Sequence, residues 1–160
     1  MKDIDREAPP LVEEPVEGGG TVDGVCVLVP EGEYELRYVD YETAIYYGSP
    51  KVVVHYAIIK PEEYAGLPVD RFYNAKRLTG APGRFGKYVA PRRGDLFREY
   101  SRLLGQPERL DRISFFRLKG KRVIGDVQTV HTDHKHEALP KDDRYSRIKR
   151  LVSVLPGDDW

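Results

Sequence analysis

The chain has one cysteine, one methionine, one tryptophan and no net charge. A lone cysteine excludes an intrachain disulfide and a cysteine-based zinc site. Cys26 lies in the apolar run Val25-Cys26-Val27-Leu28-Val29 and reads as a buried, inert thiol. No apolar run approaches the roughly 18 residues that span a bilayer. The acidic N-terminus lacks the apolar segment of a secretory signal, so the expected compartment is the cytoplasm. At 160 residues, 40% of them hydrophobic, with a mean hydropathy of −0.55, the chain reads as one soluble domain. That size buries a core without a disulfide or a metal.

What the chain does have is charge segregation. Residues 71–125 carry fifteen Lys and Arg against four Asp and Glu, a local net of +11, whereas residues 1–35 carry ten acids against two bases. Eight aromatics are interleaved with the cations: Phe72, Tyr73, Phe85, Tyr88, Phe97, Tyr100, Phe115 and Phe116. Clustered cations attract a phosphate backbone, and ring side chains among them can stack on bases.

Residues 1–23 read as a disordered acidic arm, broken by Pro9, Pro10, Pro15 and Gly18-Gly19-Gly20. The rest, 24–155, reads as one domain that is mainly β with two helices. Strands are predicted over Val25–Val29, Tyr34–Ile45, Lys51–Lys60, Val69–Leu78 and Arg122–Val130, with another at Phe115–Leu118. Lys51–Lys60 is apolar on both faces and so is expected to be central. Fourteen irregular residues, Gly80–Arg93, form a loop of the length usually kept for function. Asp95 reads as the N-cap of a helix ending at Leu104 before Gly105. A second helix is predicted over Arg144–Leu155, because Tyr145, Ile148, Leu151 and Val152 follow helical spacing.

Three long strands, a helix and then further strands is the element order of an OB-fold, a five-stranded Greek-key barrel that binds oligonucleotides across its second and third strands and adjoining loops. Here that face corresponds to 51–78, the 46–50 connection and the Gly80–Arg93 loop. Arg71, Lys76, Arg77, Arg84, Lys87, Arg92 and Arg93 are therefore expected to track phosphates. Tyr73, Phe85, Tyr88 and the Tyr46/Tyr47 pair are expected to stack on bases; two adjacent tyrosines cannot both enter one core. Alternation groups Arg71, Tyr73 and Arg77 on one strand face.

Other chemistry is thinly represented. Around Gly86-Lys87 a phosphate-binding loop would need glycine where Ala81 stands and a hydroxyl where Tyr88 stands. His131, Asp133, His134, His136 and Glu137 are the one cluster with metal-ligating residue types, at a spacing that matches no established site. With Asp126 they define the alternative of a metal-dependent nuclease acting through 126–137. Another alternative is an adaptor whose basic face meets an acidic protein partner. No catalytic constellation stands out, so the expectation is a non-enzyme without a cofactor. The tail 156–160 ends in Asp158, Asp159 and Trp160, an apolar anchor flanked by acids that suits a partner's pocket.

The Pro30-Glu31-Gly32-Glu33-Tyr34 opening of a long strand, the Glu63-Tyr64-Ala65-Gly66 connection into a basic third strand, and the acidic tail ending in Trp160 resemble phage and bacterial single-stranded DNA-binding proteins with OB-folds. The resemblance covers roughly 25–130 and the tail. The acidic arm, the shortness of the tail and the 131–155 segment depart from it. It implies sequence-tolerant binding of single-stranded DNA, or of RNA, without catalysis, in support of replication or recombination. It further implies recruitment of replication or recombination proteins through the tail and a possible homo-oligomer.

Overall fold

The computed structural model describes residues 21–22, 25–132, 135–140 and 144–155. The acidic arm up to residue 20 and the tail 156–160 lie outside them, as does the side chain of Cys26. Two short strands, β1 (Thr21–Val22) and β2 (Val25–Cys26), pair with each other. Val27 and Val29 then run extended and buried, held by Ser146: its Oγ accepts from Val29 N at 2.8 Å, and its own N donates to Val27 O at 2.9 Å.

The β-rich stretch becomes two long antiparallel strands, β3 (Gly32–Tyr46) and β4 (Ser49–Lys60). A two-residue turn joins them, with positive φ at both Tyr47 (51°) and Gly48 (79°), the conformation whose twist suits a tight hairpin. β5 (Pro68–Asn74) pairs on the other side of β4, so β4 is central as its composition predicts. β6 (Arg77–Thr79), β7 (Gly83–Arg84) and β8 (Lys87–Val89) follow, then α1 (Asp95–Leu104), β9 (Arg122–Val130) and β10 (Tyr145–Val154). The main sheet has six strands in the order β4-β5-β10-β9-β3-β7, and β4 also pairs with β3. All contacts between these neighbours are antiparallel except β5 with β10, which is parallel and confined to Ile148 opposite Arg71.

Three expectations are corrected. Arg144–Leu155 is not a helix. It contains strand β10, which leaves Lys149 and Val152 without partners where its register against β9 shifts. Those two bulges stretch the inward spacing to Ser146, Ile148, Leu151, a three-residue step that imitates a helical period. Phe115–Leu118 is a single 3-10 turn, not a strand. The Gly80–Arg93 segment is not irregular throughout, because β6 and β8 pair as a small hairpin and β7 adds to the edge of β3.

Inward alternation builds the core from Tyr34, Leu36 and Tyr38 of β3, Val52, Val54, Tyr56 and Ile58 of β4, Val69 and Tyr73 of β5, Val123 and Val127 of β9, and Ile148 and Leu151 of β10. α1 begins one residue earlier than predicted. Gly94 is its cap, and Asp95, the first helical residue, accepts from Arg98 at 2.7 Å. Leu96 and Tyr100 face the core, and so does Glu99, which is 4% exposed.

Glu99 enters where β5 and β10 are joined by one bridge. Its carboxylate accepts from Arg71 Nε (3.1 Å) and Nη2 (2.5 Å), from the Tyr73 hydroxyl (2.8 Å) and from Leu151 N (3.0 Å). One turn along the helix, the Arg102 guanidinium donates to Leu151 O. Residues three apart on a helix share a face, so α1 supplies both partners of a β10 peptide edge that no strand covers. Backbone groups buried without partners are costly, which gives this substitution its weight.

Removing one member of a buried, hydrogen-bonded charge pair costs about 3–5 kcal/mol. Glu99→Ala is expected to lose about that much stability in urea denaturation. The double variant Arg71→Met/Glu99→Leu is expected to recover part of the loss but not all, since the Tyr73 hydroxyl and Leu151 N remain without their acceptor. Equal stability of the Glu99→Ala variant and the parent protein would show the clamp to be dispensable.

Candidate nucleic-acid interface

The basic stretch does not fold into one face. Arg71 is 6% exposed and bound to Glu99; its Nη1 donates to Phe72 O at 2.8 Å and its guanidinium lies 4.4 Å from the Tyr73 ring centre. Tyr73 is 2% exposed and stacks on Phe115 at 5.2 Å with the rings nearly parallel. Burial and the neighbouring carboxylate push the Tyr73 hydroxyl well above the usual phenol range. Tyr88 is 7% exposed and donates to Ile113 O at 2.5 Å. These three residues, expected to touch nucleic acid, belong to the core. Alternation correctly grouped Arg71 with Tyr73, but the face they share is the inner one. Arg77 lies beyond the end of β5, in β6.

The remaining expected residues fall into separate places. Tyr46 and Arg93 line a cleft of about 640 Å³ beside the β5–β10 seam. Its other walls include Lys51 of β4, Phe72 and Asn74 of β5, the start of α1 at Gly94-Asp95, and Tyr145, Arg147 and Lys149 of β10. Lys51 donates to Asn74, and the Tyr46 and Phe72 rings meet at 6.5 Å. Arg93, Arg147 and Lys149 are exposed, and their side chains pair with no other described residue. Asp95 is the carboxylate of this lining. Its bond from Arg98, opposed by burial and aided by the nearby Arg71, holds it below the usual carboxylate range. Arg71 and Tyr73 reach this cleft only as its floor.

Arg77 and Arg92 line a second cleft of about 540 Å³, between the β6–β8 hairpin, Phe97 of α1 and residues 106–111. Lys76 and Lys87 are exposed near the same hairpin, and Tyr47 is exposed at the β3–β4 turn.

Arg84 and Phe85 sit elsewhere again, on the free edge of β3. Phe85 N donates to Tyr41 O at 3.1 Å, Gly83 N donates to Thr43 Oγ1 at 3.1 Å, and the Tyr41 hydroxyl donates to Gly86 O at 3.0 Å. Gly86 is required there, because a Cβ would stand 2.0 Å from Thr43 Oγ1. Phe85, 48% exposed, takes a φ of 56°, unusual for a bulky residue, with Arg84 over its ring at 4.8 Å. Arg84 also binds Asp40 at 3.2 Å.

An ionic cluster separates this edge from the first cleft. His55, on the outer face of β4, meets Asp70 of β5 at 2.7 Å through Nδ1 and Glu42 of β3 at 3.3 Å through Nε2. Burial works against a charged ring, but the two carboxylates outweigh it and hold the pKa well above the ordinary 6.5. His55 is thus clasped across three strands by carboxylates that favour its imidazolium form.

Several residues that line the first cleft were not among the expected contacts. Lys51, Phe72 and Tyr145 were visible in composition but lay on strands assigned to the core or to a helix. Arg147 and Lys149 were placed on the outside of the Arg144–Leu155 helix, far from the cluster at 71–93. In the 126–137 segment, Asp126 accepts from Gln128 at 3.4 Å and lies 4.0 Å from Arg150. His131 and His136 are exposed. Asp133 and His134 lie outside the described residues, as do Asp158, Asp159 and Trp160. Among the described residues no group of three or more His, Cys, Asp or Glu is placed to hold a metal ion, and no helix is long and apolar enough to cross a membrane.

Comparison with protein-family models, with curated proteins and with solved structures finds no match to this chain.

A histidine whose pKa is raised on folding adds stability that is fully present below its unfolded value of 6.5 and is lost as pH rises through the folded value. The stability difference between the parent protein and His55→Gln is therefore expected to shrink from acidic to alkaline pH in urea denaturation. A difference that stays constant across the titration would mean that the ring is neutral throughout.

Proposed function

We propose that this protein binds single-stranded nucleic acid, DNA in the first instance, along the cleft at the β5–β10 seam, without reading base sequence and without catalysing a reaction. The observation that carries the reading is the composition of that cleft. Arg93, Arg147 and Lys149 stand exposed, paired with no other described residue, beside Tyr46, Phe72 and Tyr145. Unpaired cations gain counterion-release energy on meeting a polyanion, and rings offer stacking surfaces to bases that are already unstacked, which favours a single strand over a duplex.

The strand pairings support an OB-like barrel as the scaffold. Five strands pair in a cycle, β3 with β4, β4 with β5, β5 with β10, β10 with β9 and β9 with β3, and α1 falls between β5 and β9. That is the order in which a five-stranded Greek-key barrel of this type closes, with its helix after the third strand. The proposed cleft adjoins the β3–β4 turn and β5, near the face such a barrel uses. A relation to single-stranded DNA-binding proteins is part of the same proposal.

Besides the buried Arg71 of its floor, four cations, Lys51, Arg93, Arg147 and Lys149, line the cleft. If each meets one phosphate, log affinity for oligothymidylate is expected to fall against log salt with a slope of about −3. Arg147→Ala/Lys149→Ala is expected to bring that slope to about −1.5. Tyr46→Ala/Phe72→Ala is expected to weaken binding by about 1–3 kcal/mol for each base unstacked, with the slope unchanged. Fluorescence anisotropy titrations at several salt concentrations, with a duplex of equal length for comparison, read all three. Salt-independent affinity, or tighter binding of the duplex, would count against the proposal.

A further inference from the structure

We infer that the bound strand does not end in the first cleft but continues over Arg93 and Arg92 into the second, so that the two clefts form one path. The inference rests on the proposed function. Its starting point is the backbone at 91–93. Pro91 and Arg93 line the first cleft and Arg92 lines the second. Successive Cα atoms are about 3.8 Å apart, so this short backbone forms the ridge between the clefts, with the exposed Arg93 lining one and the exposed Arg92 the other. Phosphates along a single strand are spaced a few ångströms apart, which a neighbouring pair of arginines can follow.

The second cleft has the chemistry to receive that strand. Arg77 and Arg92 are exposed and pair with no other described residue. Arg109 is held bidentate by Asp111 at 2.9 and 2.7 Å, so it adds little free charge. Glu108 is the other acid of the lining. Phe97 is half-buried at its wall, with Gln106 and Thr79 supplying hydrogen-bonding groups. Two arginines that pair with no other described residue, a ring and neutral polar groups suit a sugar-phosphate chain with its bases turned outward. On the opposite flank, Glu42 and Asp70 clasp His55 and Asp40 holds Arg84, so acids outnumber bases there and disfavour a polyanion. That repulsion directs the strand toward Arg92 and away from the Arg84–Phe85 edge.

The test compares oligothymidylates of about 5 and about 15 nucleotides, the span of sites used by single barrels of the proposed type. For the parent protein, affinity is expected to rise with length beyond the statistical gain from extra registers. In Arg77→Ala/Arg92→Ala that rise is expected to be lost, leaving the longer strand bound about tenfold more weakly and its salt slope shallower by about 1.4. Both side chains are exposed, and an unchanged thermal melt confirms that the variant is folded. A variant that keeps the parent's dependence on length overturns the path, as does one that loses affinity equally for both lengths. If the parent binds neither oligonucleotide, the function itself fails, a result distinct from either of those.

Discussion

One buried carboxylate closes the weakest seam of the sheet. β5 and β10 run parallel and touch at a single bridge, so most of the seam lacks the ladder that joins every other pair of neighbours. Glu99 fills that gap from the helix side. It takes two bonds from Arg71 on β5, one from the Tyr73 hydroxyl and one from the Leu151 amide on β10. In a low-dielectric interior a satisfied network of this kind is strong and a broken one is costly. Breaking it would leave a charge, a hydroxyl and a peptide group without partners at once, and it would remove one of the ties between α1 and the sheet.

The same clamp shapes the surface. By drawing Arg71 and Tyr73 inward, it removes two members of the basic, aromatic stretch from any outer face. By fixing α1 against β10, it sets the 91–95 segment beside Arg147 and Lys149. The first cleft is thus assembled from parts of the chain about fifty to a hundred residues apart, where one pairing of strands brings them together. The His55 cluster performs a comparable task on the outer face of β3, β4 and β5. It ties three strands across with ionic contacts and concentrates negative charge away from the seam.

Much of the β architecture was legible from residue order. The alternation of Tyr34, Leu36 and Tyr38 marks the inner face of β3, and the density of β-branched residues marks β4 as central. Asp95 and Gly105 bracket α1 to within a residue. β10 was hidden because two bulges turned a period of two into steps of three. The buried glutamate was hidden because a carboxylate at position 99 looks like the solvent face of a helix until its partners on other strands are known. The candidate interface was legible in its ingredients, cations among rings, but not in its membership. Tyr88 and Tyr73 went to the core because their rings fill its volume and their hydroxyls find acceptors there.

The amino-acid sequence alone determined the β-rich class, the central strand, the helix and the segregation of charge, because propensity, alternation and capping are local properties that need no knowledge of distant neighbours. Tertiary structure decided which cations stay in water and which are neutralised, which rings are walls and which are core, and that β10 is a strand. Those outcomes depend on cross-strand register and on burial. A guanidinium group is available to a ligand only if folding places no carboxylate within its reach.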